Sequence, residues 1–188
     1  MACGKIEEVC KCQSKVLKIE TIYVVDLKGA TGQGGIEFFD SEPEYKSIRL
    51  NNPNLTAVES VAFEENAFQI KKGTFAKQCE CMLYPEESEE NSWILFIEMK
   101  YAENEHNVHL GLWHEKAVEQ IRSTVGFLNQ KGVLTADKKL KAIVSFPKLE
   151  SRSAWLSRYI SNNLKPDGIE ARCTNKATIV NGEILILA

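Results

Sequence analysis

Two charged residues at the end of an otherwise apolar segment are the first sign of chemistry in this sequence. The segment WILFIEMKY, residues 93–101, has the composition of a buried β-strand. Because side chains alternate along a strand, Glu98 and Lys100 point to the same face, about 6 to 7 Å apart along the backbone. Burying an isolated charge costs free energy, so a carboxylate and an amine at this place need partners.

A second isolated carboxylate occurs in the apolar segment that precedes this strand. Glu80 lies in KQCECMLYP, residues 77–85, which predicts a strand with Met82 and Tyr84 on the face of Glu80. A short acidic turn separates the two segments, so we expect a hairpin that brings Glu80 beside Glu98. Two carboxylates can hold a divalent cation, which compensates the charge that makes their burial costly. Hard oxygen ligands that leave positions for water suit Mg²⁺ or Mn²⁺.

The elements that must position these residues follow from hydrophobic periodicity. Residues 113–131 predict the strongest helix, with an apolar stripe at helical spacing and Gly132 at its end. Leu55, Val58 and Ala62 also recur at helical spacing, which predicts a short helix. From residue 55 onward the predicted order is helix, three strands, helix, strand, helix and strand. Asn181-Gly182 predicts a turn within the closing strands.

The first 54 residues read differently, as a β-rich segment with no functional motif. KIETIYVVDL, IEFFDS and YKSIRL predict strands, and KGATGQGG between them predicts a loop. The glycines of that loop are typical of phosphate-binding loops, but the sequence lacks the lysine that follows such glycines, and a flexible connection is the prediction. Residues 1–54 are therefore expected to be an elaboration of a core at residues 55–188, within one compact domain.

The arrangement of the acidic residues resembles the PD-(D/E)xK nuclease superfamily, which includes restriction endonucleases. The resemblance spans residues 55–147 and is carried by QCECMLY, WILFIEMKY and, on the long helix, AVEQIRSTV. A carboxylate on one strand is followed, at the end of the next strand, by the pattern E-x-K. The resemblance implies an α/β (α+β) fold of the restriction-endonuclease type, in which helices flank a mixed central sheet.

The resemblance also implies roles for individual residues. Glu80 and Glu98 correspond to the metal ligands, and the backbone carbonyl of Met99 corresponds to a third ligand. Lys100 corresponds to the residue that orients or activates the attacking water. The implied cofactor is Mg²⁺ or Mn²⁺, and the implied reaction is hydrolysis of DNA phosphodiester bonds.

Two further positions are implied by the resemblance, and one position departs from it. Gln120 matches a helix glutamine that faces the active site in several branches of the superfamily. A glutamate on the preceding helix often completes the site, and either Glu59 or Glu64 is a candidate. The first acid is usually an aspartate that follows a loop proline, whereas here Glu80 follows Cys79. The departure puts the activity in doubt more than the fold.

Two other interpretations are open at this point. One is a non-catalytic interaction or binding protein that keeps the nuclease-like fold, which the net charge of −3 and the departure at Glu80 favour. The other is a hairpin whose solvated end holds a salt bridge between Glu98 and Lys100. If the protein is a nuclease, DNA is the expected partner, and a homodimer is possible because cutting two strands takes two sites.

Composition narrows the class of protein. With 188 residues, 44% of them hydrophobic and 26% charged, the chain suits one soluble globular domain. The net charge argues against a histone-like protein coated in positive charge. No apolar run approaches the length of a membrane span, and the first residues lack an apolar secretory segment, so we expect a cytoplasmic protein without membrane contact.

Several remaining residues have both a functional and a plain structural interpretation. Two C-x-C pairs could form a zinc site, but their spacing is wrong for a zinc knuckle, and buried cysteines are the favoured reading. The three histidines are expected at the surface. The tryptophans either pack between helices or stack on bases. The basic residues of the C-terminal part either follow a phosphate backbone or form a solvated face. The residues concerned are Cys10, Cys12, Cys79, Cys81, His106, His109, His114, Trp113, Trp155, Lys138, Lys139, Lys141, Lys148, Arg152, Arg158 and Lys165.

Overall fold

The computed structural model describes residues 3–87, 89–101, 112–146, 148 and 154–188, without the side chains of residues 3 and 4. The helices in these parts of the chain are α1 (Cys3–Val9), α2 (Leu27–Thr31), α3 (Trp113–Gln130), α4 (Ala154–Leu164) and a 3₁₀ helix (Lys165–Asp167). The strands there are β1 (Cys12–Leu17), β2 (Thr21–Asp26), β3 (Ile36–Phe39), β4 (Ile48–Asn51), β5 (Val58–Phe63), β6 (Gln69–Lys71), β7 (Thr74–Phe75), β8 (Cys81–Pro85), β9 (Trp93–Met99), β10 (Lys139–Ser145), β11 (Glu170–Cys173), β12 (Lys176–Ile179) and β13 (Leu185–Leu187).

The largest sheet of the described residues has six strands in the order β1-β5-β8-β9-β10-β11. The strands β1, β5, β8 and β9 pair antiparallel, whereas β9, β10 and β11 pair parallel. Parallel strands need a long crossover, and α3 lies in the connection from β9 to β10. Every residue of β9 is buried, as expected for a central strand covered on both faces.

A second sheet of five strands, in the order β13-β12-β4-β2-β3, covers one face of the first. Its inner face packs on Trp93, Leu95 and Ile97, which are the side chains of β9 that point away from α3. The other face of β9, with Ile94 and Phe96, packs with α3 and α4 in a separate apolar cluster. The central strands therefore lie between a helical layer and a second sheet, as in other layered mixed folds.

Each sheet takes strands from both sides of residue 54. The N-terminal β1 pairs with β5 at the edge of the large sheet, and the C-terminal β12 pairs in parallel with β4 in the second sheet. Residues 1–54 are therefore interleaved with the rest of the chain rather than packed as a separate layer. The mixed α/β class expected from the sequence is confirmed at this level.

Two predicted elements are wrong. The segment at Leu55–Ala62 was expected to be helical, but residues 58–63 form β5, which pairs with β1 and β8. All of β5 except Ala62 is buried, so the helical spacing of its apolar residues does not mark a solvated helix face. The predicted loop at residues 28–35 overlaps the helix α2. Asp26 caps the start of this helix, and Gly32, at φ 85°, caps its end.

The elements that present the candidate site are predicted correctly. The hairpin of β8 and β9 is present, and the predicted stripe of α3 is buried. Gly132, at φ 67°, follows the end of that helix. Asn181-Gly182 lies between β12 and β13, which pair antiparallel.

None of the helices in the described residues is long and apolar enough to cross a membrane.

Candidate active site

The two carboxylates predicted to meet lie at the same end of the β8–β9 hairpin. The last pairs of the register join Leu83 to Leu95 and Cys81 to Ile97, and the backbone N–H of Glu80 donates to the carbonyl of Ile97 over 3.1 Å, so Glu80 lies beside the end of β9 that carries Glu98. Two like charges in this position repel each other unless a proton or a cation intervenes.

Glu98 is completely buried and forms an ion pair with Lys100. Apart from this ion pair, neither carboxylate oxygen of Glu98 has a hydrogen-bond partner of normal geometry among the described residues. The Lys100 ammonium also donates a 2.9 Å hydrogen bond to Oε1 of Gln120 on α3. The predicted residues Glu98, Lys100 and Gln120 are therefore brought together, on the face of β9 that α3 covers.

Glu80 lies just before β8 and reaches across to the neighbouring strand. Its Oε2 accepts a 2.8 Å hydrogen bond from the backbone N–H of Met99. This bond places the carboxylate at the end of the large sheet, beside the backbone that joins Glu98 to Lys100. Glu80 also lines the same cavity as Met99 and Lys100.

The segment that leads into Glu80 is tied to α3 by two hydrogen bonds. Nε2 of Gln120 donates to the carbonyl of Gln78 over 2.9 Å, and the backbone N–H of Cys79 donates to Oγ1 of Thr124 over 2.8 Å. Gln120 therefore contacts both halves of the site, because it holds Lys100 through one atom and the Glu80 segment through another. Thr124 has no counterpart in the sequence prediction, since a buried helix threonine carries no distinctive pattern.

The titration of these groups reflects their crowding. Burial raises the pKa of Glu80 well above its ordinary value, and the charges of Glu98 and Asp26 add to the effect. Burial raises the pKa of Glu98 to about 7, although Lys100 acts in the opposite direction. For Lys100, burial acts to lower the pKa, but the carboxylates outweigh it and the pKa is raised. Lys100 is therefore an ammonium at neutral pH, and it donates protons to hydrogen bonds rather than accepting them.

A cavity of about 290 Å³ opens beside these groups. Helix α3 contributes Trp113 and Lys116, and the end of β9 continues into Met99, Lys100 and Tyr101. The complete lining is Asp26, Gly29, Glu80, Met99, Lys100, Tyr101, Trp113 and Lys116. The cavity thus combines carboxylates, two ammonium groups and aromatic surface, and it lies at the end of the large sheet between α3 and the second sheet.

Asp26 is a site residue that the sequence analysis missed. It is the last residue of β2, and its charge acts on Glu80, Glu98 and Lys100. The sequence does contain a signal, because Asp26 ends a strand whose central residues are all buried, just as Glu98 stands near the end of β9. What the sequence does not contain is the contact between β2 and the large sheet.

The two candidate helix glutamates lie elsewhere. Glu59 is on β5, where it pairs with Tyr84, near the opposite end of β8 from Glu80. Glu64 follows β5, is exposed, and lies near Cys12. The helix that was expected to present either residue is a strand, which explains why neither lines the cavity.

The donor set fits a hydrated divalent cation better than a tightly chelated one. In the described parts of the chain, no group of three His, Cys, Asp or Glu side chains could hold a metal ion. Mg²⁺, however, keeps several of its waters and often uses one or two carboxylates together with substrate phosphate. Glu98, which is buried and paired with Lys100, and Glu80 are the two carboxylates that would hold such a cation.

The cysteines of the two C-x-C pairs do not form a metal-binding group in the described part of the chain. Cys79 packs in the cluster beneath α3, whereas Cys81 packs between the two sheets, so their side chains lie on opposite faces. Cys10 and Cys12 contact the α3 cluster. These four residues are free thiols. Cys10, Cys79 and Cys81 are buried as expected, whereas Cys12 is half-buried.

The histidine and tryptophan predictions have mixed outcomes. His106 and His109 lie outside the described residues. His114 was expected at the surface but is buried, with its ring edge-on to Trp155 at 5.3 Å and to Tyr159 at 4.7 Å. Trp155 leaves 45% of its surface exposed, whereas Trp113 packs against the α3 cluster and lines the cavity.

The basic residues at the start of β10 lie at the wrong end of the sheet to reach the site. Lys139 pairs with Trp93, whereas Val144 pairs with Glu98 at the other end. Lys138 forms an ion pair with Asp137 over 3.0 Å, and Lys141 pairs with Glu170. The side chains of Lys138 and Lys141 are only 5% and 12% exposed in these ion pairs, so neither lysine belongs to a solvated face. The acidic turn after β8 lies at the same distant end, so it does not cover the cavity. Arg152 lies outside the described residues.

Comparison of the chain with protein-family models, with curated proteins and with solved structures finds no match in any of the three.

Proposed function

We propose that this protein is a metal-dependent nuclease that hydrolyses DNA phosphodiester bonds at the Glu80, Glu98 and Lys100 site. The observation that carries the proposal is the meeting of these three side chains at one end of two adjacent strands. A salt bridge on a solvated hairpin end does not account for the geometry, because Glu98 is fully buried and Glu80 joins it from the next strand.

The topology around the site supports the relation to the PD-(D/E)xK superfamily. Three antiparallel strands, β5, β8 and β9, are followed by a helix and then by β10, which is parallel to β9. The acid before β8 and the E-x-K pattern at the end of β9 are the features on which the resemblance rests. The strand in place of the expected N-terminal helix, and the second sheet, are features outside that pattern.

Each residue of the candidate site has a role in the proposed reaction. Glu80 and Glu98 hold the cation, with the Met99 carbonyl as the third protein ligand that the resemblance implies. The cation supplies Lewis acidity and a more acidic water. The Lys100 ammonium, held by Gln120, stabilises the charge that develops on the phosphate oxygens. Lys116, which also lines the cavity, attracts the phosphate diester before reaction.

The test is cleavage of supercoiled plasmid and of linear single-stranded and double-stranded DNA in Mn²⁺, in Mg²⁺ and in EDTA. We expect cleavage with Mn²⁺ or Mg²⁺ and none with EDTA. Glu98→Gln and Lys100→Met each leave a buried charge without its partner, which destabilises the folded protein. The double variant removes both charges and is therefore the one to compare with wild type. We expect a loss of roughly 100-fold or more in rate in the double variant.

A matched control is Lys131→Gln, which removes an exposed lysine just beyond the distant end of α3. This variant should cleave DNA at the wild-type rate. Cleavage that persists in the Glu98→Gln/Lys100→Met protein, or its absence from folded wild-type protein with either metal, contradicts the proposal. If cleavage requires both strands to be cut together, sedimentation should show a dimer under assay conditions.

One observation favours the alternative of a binding protein without catalysis. The Lys100 ammonium is closed onto Glu98, and this ion pair reduces the charge available to a cation. A binding protein of this kind retains DNA affinity, if it has any, in the double variant and in EDTA. Gel-shift titrations on the same variants therefore separate the two functions.

A further inference from the structure

Asp26 is held in the candidate site by its own short helix. The backbone N–H of Gly29 donates a 2.9 Å hydrogen bond to Oδ1 of Asp26. Gly29 also lies so close to the carboxylate that a Cβ at this position would overlap it, and would lie 2.5 Å from Cδ2 of Tyr101. The first turn of α2 therefore fixes the Asp26 side chain against the end of β9.

The charge around the cavity is unbalanced. Three carboxylates, those of Asp26, Glu80 and Glu98, lie in or beside the cavity with two ammonium groups, Lys100, which pairs with Glu98, and Lys116. Lys28 lies two residues after Asp26, in the first turn of α2. Its Nζ forms an ion pair with Oε2 of Glu65 over 3.2 Å. Partly buried carboxylates in excess over ammonium groups are costly, and a bound cation offsets that cost.

We propose that Asp26 is a third carboxylate of the cation site and acts through the water shell of the cation. The inference rests on the proposed function. It explains why the second sheet contacts the end of β9, because β2 delivers a carboxylate that the hairpin alone does not contain. Asp26 accepts hydrogen bonds from waters of the cation rather than binding the cation directly. Mg²⁺ and Mn²⁺ keep several waters, and no three carboxylates in the described chain converge for direct chelation.

The experiment measures Mn²⁺ binding by isothermal titration calorimetry, without any nuclease assay. Asp26→Ser removes the carboxylate but keeps a side chain that caps helices well, so α2 should persist. We expect the Mn²⁺ dissociation constant to rise roughly 10-fold in Asp26→Ser, as for other groups that support a metal from outside its ligand set. Asp40→Asn, at an exposed acid after β3, is the matched control and should bind like wild type.

The possible outcomes separate this inference from the proposed function. If wild type and Asp26→Ser bind Mn²⁺ equally while Glu80→Gln does not bind, Asp26 has no part in the site and the nuclease proposal stands. If folded wild type binds no Mn²⁺, both proposals are overturned. Should Asp26→Ser fail to fold, as judged by circular dichroism, Asp26→Asn keeps a capping amide without the charge and gives the same comparison.

Discussion

The carboxylate of Glu80 accepts a hydrogen bond from the backbone of Met99, with 2.8 Å between Oε2 and N. A side chain that precedes one strand thereby holds the end of the next. An aspartate is one methylene shorter and does not reach equally far. The length of the glutamate side chain therefore lets Glu80 reach the Met99 amide beyond the last ladder pair of β8 and β9.

Glu80→Asp should weaken this end of the hairpin. Losing the bond to Met99 is expected to lower the free energy of unfolding by about 1 kcal/mol and to speed hydrogen exchange at the Met99 amide. Urea denaturation and amide exchange measured by NMR test this. Glu80→Gln is the control, since its side-chain carbonyl keeps the acceptor and removes only the charge. Unchanged Met99 protection in Glu80→Asp would show that the bond contributes nothing.

Gly29→Ala should disturb both stability and the site. A Cβ at residue 29 meets the Asp26 carboxylate and the Tyr101 ring, so α2 must shift, at a cost of about 1–3 kcal/mol. Gly126→Ala is the matched control within α3, where no described atom lies within 4 Å of the added methyl group. That variant should be more stable than wild type by about 0.5–1 kcal/mol. Thermal melts of the two variants should therefore move in opposite directions, and a neutral Gly29→Ala contradicts the close packing of α2.

The metal-free protein should lose stability as pH rises through the range in which Glu98 titrates. Burial raises the pKa of Glu98 from 4.5 to about 7. Between these values the folded state binds more protons than the unfolded state, so the free energy of unfolding falls with increasing pH. The contribution of Glu98 is lost by about pH 7, and the raised pKa of Glu80 adds a loss of the same sign.

The measurement is urea denaturation in EDTA at several pH values from 5 to 8. The Glu98→Gln/Lys100→Met variant should show a flatter dependence, because it lacks the Glu98 titration and leaves no unpaired ammonium. Added Mn²⁺ should stabilise wild type more at pH 8 than at pH 5, since protons compete with the cation for the carboxylates. Identical pH profiles for wild type and the double variant would contradict the raised pKa.

Gln120→Ala should slow the proposed reaction with little effect on Mn²⁺ affinity. Gln120 holds the Lys100 ammonium and the Gln78 carbonyl, but it contributes no carboxylate to the cation. We expect kcat to fall roughly 10-fold, in the range seen when supporting groups of an active site are removed. Single-turnover cleavage and calorimetric Mn²⁺ binding separate the two quantities. Glu119→Gln, at the neighbouring exposed position, should leave both unchanged, and a large loss of Mn²⁺ affinity in Gln120→Ala contradicts a purely positioning role.

Local periodicity accounts for the parts of the site that the sequence predicted. The alternation along residues 93–99 puts Glu98 on the face of Ile94 and Phe96, and the structure confirms this assignment. The spacing of four residues between Ala117 and Ile121 marks the buried stripe of α3, which also carries Gln120 to the site. Both patterns depend only on the geometry of one strand or one helix, so they are visible without a partner.

The errors arise where an element takes its form from its neighbours. Residues 58–63 show helical spacing, yet β1 and β8 complete their backbone hydrogen bonds on both sides and make them a strand. Asn52 illustrates the same dependence, because its amide is fully buried and bonds the backbone of Ile19 and Thr56. No single segment contains the information for these contacts.

The sequence by itself determined the two charged strand ends, the hairpin that joins them and the helix that covers them, because strand alternation and helical spacing are local. Only the tertiary structure decided that Asp26 lies with Glu80 and that Glu59 and Glu64 do not. Those positions depend on which strands pair and how the second sheet packs on the first. Pairing between distant segments is set by the fit of whole surfaces, which the pattern within one segment does not specify.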